Sequence, residues 1–220
     1  MTFSILAQDA GTGTLGAAAA TGSLCVGGWV LRGNAGAGLS ASQGAAPSTL
    51  WGDGAQARLR AGATAAEIVA DLTGADRGRD WRQLAVLDAR GGTASHTGTR
   101  NGDWKGALAG SGLVVTGNLL AGPKVLEALR AGFLDAPGAI AERLLAALDT
   151  AAAAGGDTRG LQSAALLVLA PDAPPLSLRI DWSKAPLTDL RTLFGRSQSG
   201  EYAAWLPCVP TPRDPERRPE

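Results

Sequence analysis

This chain predicts an α+β fold in which two antiparallel sheets stack and helices cover their outer faces. Three observations lead there. Short alternating stretches and longer stretches of helical period come in blocks: strands, two helices, strands, two helices, strands, one helix. Neighbouring strand segments are joined by short turns, as in hairpins, and no regular βαβ repeat is present. The 220 residues are 45% hydrophobic, enough for a sizeable core.

The elements follow in order. TFSILAQD (2–9) alternates, AGTG (10–13) turns, and TLGAAAATG (14–22) returns as a hairpin partner. CVGGWVL (25–31) and GAGLSASQ (36–43) read as two further strands of the same sheet, with RGNA (32–35) between them as the turn. After Pro47 the period becomes helical through residues 48–62, although Gly52 and Gly54 weaken the first turn. Thr64 with Glu67 three residues on is a capping box, and it opens a helix that Gly74 stops. Residues 76–80 are a polar loop, and QLAVLDA (83–89) with TASHTG (93–98) forms a second hairpin.

Residues 99–106 then read as a loop, and GLVVTGN (112–118) is a third strand region. Pro123 suits the first turn of a helix over 123–135. A second helix over 138–154 carries Ile140, Leu144, Leu145 and Leu148 on one face. GGDTRG (155–160) breaks it, QSAALLVLA (162–170) is a buried strand, and PLSLRIDW (175–182) alternates beside it. Residues 186–195 form a short helix. A single domain is expected over 1–206, with a flexible Pro- and Arg-rich tail over 207–220.

Composition narrows the function. Charged residues are 18%, below the usual ~25%, and 20 basic side chains balance 20 acidic ones. That excludes nucleic acid and an anionic membrane surface as expected partners. Two cysteines, Cys25 and Cys208, make neither a disulfide framework nor a metal-ligand spacing. His96 is the sole histidine, so no multi-histidine metal site exists, and neither metal nor cofactor is expected. No apolar run approaches the ~18 residues of a membrane span, and no signal-peptide pattern opens the chain, so a cytoplasmic location is expected. The 31 glycines read as tight turns and close strand packing. Six tryptophans and Gly-rich apolar strands allow a homodimer.

The candidate chemistry begins at Thr2. If Met1 is removed, a free α-amine stands beside the Thr2 hydroxyl, joining base and nucleophile in one residue. The alternative is a β-forming residue that starts an edge strand. Asn118 ends an apolar strand before a helix, where its amide could meet an oxyanion or simply cap the turn. Ser42 and Gln43, at another strand end, either line the same cleft or satisfy a polar turn. Asp157 and Arg159 form an ion pair that rigidifies their loop, or present Arg159 to a substrate carboxylate. Ser163 either reaches the cleft or bonds backbone. His96 is either the base of a serine triad or a surface or packing residue, and the absence of a GxSxG elbow favours the second. GTGTLG (11–16) lacks the ending of a phosphate loop and leads into a strand.

MTFSILAQD, ASQ (41–43), TGNLLAG (116–122), AERLLAAL (141–148), GGDTRGLQSAALLV (155–168) and LRIDW (178–182), in this order, resemble the bacterial and archaeal domain-of-unknown-function family 1028. That family is placed among the N-terminal-nucleophile (Ntn) hydrolases. The resemblance spans most of residues 1–195. It implies a four-layer αββα sandwich of two antiparallel sheets and hydrolysis of an amide bond in a small-molecule or peptide substrate, with Thr2 as nucleophile. It also implies a basic residue after the second strand, where this chain has Gly22, and a cysteine where it has Asn101.

Overall fold

The structure, a computed structural model, describes residues 2–219. From the start run β1 (Thr2–Gln8), β2 (Leu15–Thr21), a short helix α1 (Val26–Trp29), β3 (Leu31–Asn34) and β4 (Gly38–Gly44). Next come α2 (Thr49–Arg60), α3 (Ala65–Gly74), β5 (Arg82–Asp88), β6 (Thr93–Thr97), β7 (Gly106–Gly110) and β8 (Leu113–Asn118). The chain continues through α4 (Lys124–Asp135), α5 (Ile140–Ala153), β9 (Ser163–Leu169), β10 (Leu176–Ile180), α6 (Pro186–Ser197) and α7 (Gly200–Trp205).

These strands make two antiparallel sheets. One has six strands in the order β10-β9-β2-β1-β8-β7, the other four in the order β3-β4-β5-β6. Thr2 begins β1, a central strand, opposite Thr21 on β2 and Asn118 on β8. It is therefore not on an edge.

Side-chain alternation along β1 divides the interior. Phe3, Ile5 and Ala7 point to α4, α5 and α6, where they join Leu129, Leu144, Leu148 and Leu190 in one core. Leu6 on the other face meets Leu39, Ala41, Ala85 and Leu87 of the four-stranded sheet. A third core lies where Trp51, Leu59 and Ile68 of α2 and α3 cover Leu84 and Val86 of β5. β2 is buried along its whole length, and Gly16 to Ala20 at its centre are all glycine or alanine. Its small side chains let both neighbouring layers approach closely.

Local signals place the helix starts. The Ser48 hydroxyl accepts from Trp51 N at 3.3 Å to open α2. The Thr64–Glu67 capping box opens α3 with both reciprocal bonds made. Pro123 stands at the N-cap of α4.

Three expectations are corrected. CVGGWVL is not a strand: Cys25 adopts a left-handed conformation, φ 61°, and Val26–Trp29 coil into α1 before β3 begins. That turn sends the chain out of the first sheet, so β3 and β4 build the second sheet with β5 instead of extending the first. GALAG (106–110), of which the sequence placed only Gly106, at the end of a loop, is the edge strand β7 on β8. After α7, the buried Thr211 hydroxyl donates to Asp172 at 3.1 Å, and Arg217 pairs with Asp172 and Asp214. No helix among the described residues is long and apolar enough to cross a membrane.

Candidate functional site

Where the inter-sheet space reaches the Thr2 end of β1, its lining changes from apolar to polar. Alternation puts Thr2 and Ser4 on the inner face of β1 and Thr116 and Asn118 beside them on β8. Thr2 Oγ1 donates to Thr21 Oγ1 at 3.1 Å. Ser4 Oγ lies 3.0 Å from Thr116 Oγ1 and donates to Gln43 Oε1 at 2.8 Å. Gln43 Nε2 donates to Gln83 Oε1 at 2.7 Å and makes a long contact of 3.4 Å with the Thr2 carbonyl.

Gln83, fully buried, fixes the direction of this network. Its Nε2 faces Thr97 Oγ1 and the carbonyls of Gly106 and Gly117 at 2.9–3.0 Å. Carbonyls only accept, so that end must be nitrogen and the other end oxygen. Gln83 Oε1 therefore accepts from both Gln43 Nε2 and Asn118 Nδ2, the latter at 3.1 Å. Asn118 is thus oriented with its nitrogen spent on Gln83. Its Oδ1 is buried without a hydrogen-bond partner among the described residues. The expected oxyanion donor is engaged in the interior.

A cavity of about 460 Å³ opens over Thr2. Thr2, Thr21, Ser23, Gln43 and Arg159 give it a polar end, and Leu24, Val26, Trp29, Val30 and Leu119 an apolar wall. Met1, whose removal the amine chemistry needs, lies outside the described residues.

The Asp157–Arg159 pair borders this cavity. The Asp157 side chain is buried and accepts from Gly22 N at 2.5 Å, from Arg159 N at 2.9 Å and from the Arg159 guanidinium at 3.0–3.1 Å. Burial alone pushes its pKa up, but the bonds from the Arg159 side chain and from the Arg159 and Gly22 N–H groups outweigh it and hold the carboxyl below its ordinary range. The same carboxylate raises the pKa of Arg159.

Gly22, the departure from the expected basic residue, has a steric cause. A Cβ there would stand 2.5 Å from the Gly160 carbonyl and 2.6 Å from Asp157 Oδ2. No side chain of any charge fits in this backbone arrangement. Asn101, the other departure, is a buried hub. Its Oδ1 accepts from Ala45 N at 2.9 Å, and its Nδ2 donates to the carbonyls of Arg82 and Gly98, both at 3.0 Å. Its own carbonyl accepts from Leu119 N at 2.9 Å. Loops on both sides of the cavity are tied to this one residue.

The remaining candidates fall elsewhere. Ser42 points to the helix side of β4 and donates to the Ser48 carbonyl at 2.7 Å. Ser163 accepts from Val26 N at 3.1 Å and donates to the Ser23 carbonyl at 2.8 Å, so it braces the loop that carries the apolar wall. His96 packs edge-on against Trp51, with ring centroids 5.9 Å apart, and its Nε2 donates to the Arg79 carbonyl at 3.1 Å. It does not line the cavity. Thus Thr2, Gln43 and Arg159 meet at the cavity, Asn118 and Asp157 stand behind it, and Ser42, Ser163 and His96 stand apart.

Sequence reasoning missed Ser4, Thr21, Gln83 and Thr116. Ser4 and Thr116 were visible as hydroxyls two residues from Thr2 and Asn118 in apolar strands, hence on the same faces. Nothing local marked Gln83.

The fold and site define an α+β protein of two antiparallel sheets with a polar cleft at the start of a central strand. The chain belongs to the Family of unknown function DUF1028, whose model matches residues 2–190. It is similar to a DUF1028 protein from Silicibacter pomeroyi known from a crystal structure, at 47% identity and a TM-score of 0.95, over 100% of this chain and 99% of that one. A more distant solved structure, Anbu (ancestral beta-subunit) from Yersinia bercovieri, aligns at 12% identity and a TM-score of 0.40 over 94% of this chain and 99% of that one. No curated protein matches the chain.

Proposed function

We propose that this protein is an Ntn-type amidohydrolase with the αββα layering of that superfamily, acting on a small or peptide-like substrate. The observation that carries the reading is the position of Thr2. It opens a central strand, and it lies at the polar end of a cavity whose other wall is apolar.

Once Met1 is removed, the Thr2 α-amine, with an ordinary pKa of ~7.7–8.0, takes the Oγ1 proton directly or through one water. Oγ1 forms a bond to the substrate carbonyl carbon, and the carbonyl oxygen carries the negative charge. The C–N bond then breaks, and the ammonium returns the proton to the departing amine. An ester on Thr2 remains. Water, deprotonated by the same amine, attacks the ester and releases the carboxylic acid and the free hydroxyl. Thr21, which accepts from Thr2 Oγ1, sets the rotamer of the nucleophile. Asn118 can meet the oxyanion only by exchanging its bond to Gln83.

That last point favours a second reading, a ligand-binding protein that keeps the cleft without the chemistry. Two measurements separate them. Intact mass must show loss of Met1, and Thr2→Ala must abolish turnover of acyl-amide or dipeptide substrates while the circular dichroism spectrum is kept. A retained Met1, or turnover that survives Thr2→Ala, eliminates the hydrolase.

A further inference from the structure

The apolar wall of the Thr2 cavity is held in place against local conformational preference. Among the described residues only two non-glycine residues have positive φ, Cys25 at 61° and Leu119 at 54°. A left-handed conformation is unfavourable for an L residue with a Cβ, and it persists where the surroundings impose it. Both sites serve the same cavity. Cys25 stands between Leu24 and Val26, which line it, and Leu119 lines it directly. Leu24 and Trp29 are 53% and 52% exposed, so they face the opening instead of a core. A strained backbone presenting solvent-facing apolar side chains points to a ligand with an apolar group.

The charge of the wall is equally specific. Among the described residues that line this cavity, Arg159 carries the only ionisable side chain. Its side chain is 47% exposed, while that of its partner Asp157 is fully buried behind it. The cation faces the ligand and the anion does not. A second cavity, of about 340 Å³, shares Leu119 and Arg159 but is bordered by Asp103, which repels an anion there. A carboxylate is therefore favoured on the Thr2 side, drawn to the half-exposed guanidinium whose Nε and Nη2 are held by Asp157.

Arg159 and Thr2 line the same cavity: Arg159 Nη1 is 3.4 Å from Ser23 Oγ, and Ser23 follows Thr21, the partner of Thr2, by two residues.

We infer that the cavity selects small anionic amides, each with a single carboxylate toward Arg159 and one apolar group on the Leu24–Trp29–Leu119 wall. An N-acylated apolar amino acid is the simplest example. The scissile bond in this statement rests on the hydrolase reading; the ligand class rests on the cavity alone.

The test is calorimetric titration of Thr2→Ala protein, which cannot turn the ligand over, with N-acetyl-leucine and with its neutral amide N-acetyl-leucinamide. The acid is expected to bind at least ~10-fold more tightly than the amide, the size of a charge-assisted hydrogen bond. Arg159→Gln in that background erases the difference, while Trp29→Ala weakens both ligands and preserves it. If Arg159→Gln does not fold, Arg159→Lys keeps a cation for Asp157 but loses the fork, and must cut the preference at least about threefold. Equal binding of acid and amide overturns the inference, as does a preference that survives both Arg159 variants, or no binding of the acid at about 10 mM. Wild-type turnover is followed separately. Acid-selective binding without turnover removes the hydrolase and keeps the ligand class. Turnover of neutral amides with no preference for the acid does the reverse.

Discussion

Adding one methyl group at position 22 tests the packing behind the candidate site. In Gly22→Ala the new Cβ meets the Gly160 carbonyl at 2.5 Å and Asp157 Oδ2 at 2.6 Å. Neither atom is the free end of a flexible chain. The carbonyl is backbone, and the carboxylate is held by Gly22 N and by Arg159. Overpacking of this kind costs about 1–3 kcal/mol. Moving Asp157 aside also breaks the 2.5 Å bond from Gly22 N, a hydrogen bond to a charged group that contributes about 1.5–3 kcal/mol. Arg159 is half exposed, so water screens the ion pair and it adds little beyond this. A total of about 2.5–6 kcal/mol follows. At about 2–4 °C per kcal/mol for a chain of this size, Tm should fall by roughly 5–24 °C. Urea unfolding of wild type, Gly22→Ala, Asp157→Ala and the double variant completes the measurement. The cycle should show coupling, because the methyl group has one fewer atom to strike once Asp157 is shortened. If Gly22→Ala unfolds within about 0.5 kcal/mol of wild type, the steric account of this glycine is wrong, and a basic residue there becomes conceivable again.

Three further outcomes are expected. Asp157 has a folded pKa below its unfolded one, so its stabilisation is complete above the unfolded value of ~3.9 and disappears as pH falls through the folded value. Wild type should therefore exceed Asp157→Asn in urea midpoint at pH 7, and the gap should close on acidification; a gap unchanged at pH 3 contradicts the shift. Gln83→Leu strands Gln43 Nε2, Asn118 Nδ2 and two glycine carbonyls, and should cost about 3–5 kcal/mol in chemical denaturation, well above the cost of an exposed amide. Ending the chain after Leu206 should leave the domain folded, with a loss of about 1–2 kcal/mol from the buried Thr211 bond and the Arg217 pairs to Asp172; failure to fold would make residues 207–220 part of the domain.

How much was legible depended on how local the cause was. Thr64 with Glu67, and Pro123 before an apolar helix, act within one turn, and both helices start where the sequence places them. The β1–β2 hairpin was legible for the same reason. CVGGWVL has the composition of a strand, but its fate is set by Cys25, whose carbonyl accepts from Gly28 and Trp29 and whose N–H reaches the Asp181 carbonyl far along the chain. GALAG has little strand character of its own and is held by its ladder to β8. Thr2 could be singled out as a candidate because the chemistry proposed for it, nucleophile and base together, lies in one residue. Gln83 could not, since its role comes from five partners supplied by β4, β6, β7 and β8. Gly22 read as a missing side chain until Asp157 and Gly160 were seen to occupy the space.

Asn101 holds Ala45 from one bank of the cleft through its side chain and Leu119 from the other through its backbone. The width of the mouth is thereby gauged by a single residue that never touches what passes through it. A homologue with a shorter residue at this point would keep the same walls yet set them at a different spacing. On the proposed function, substrate preference across such proteins would then diverge with every cavity-facing side chain unchanged.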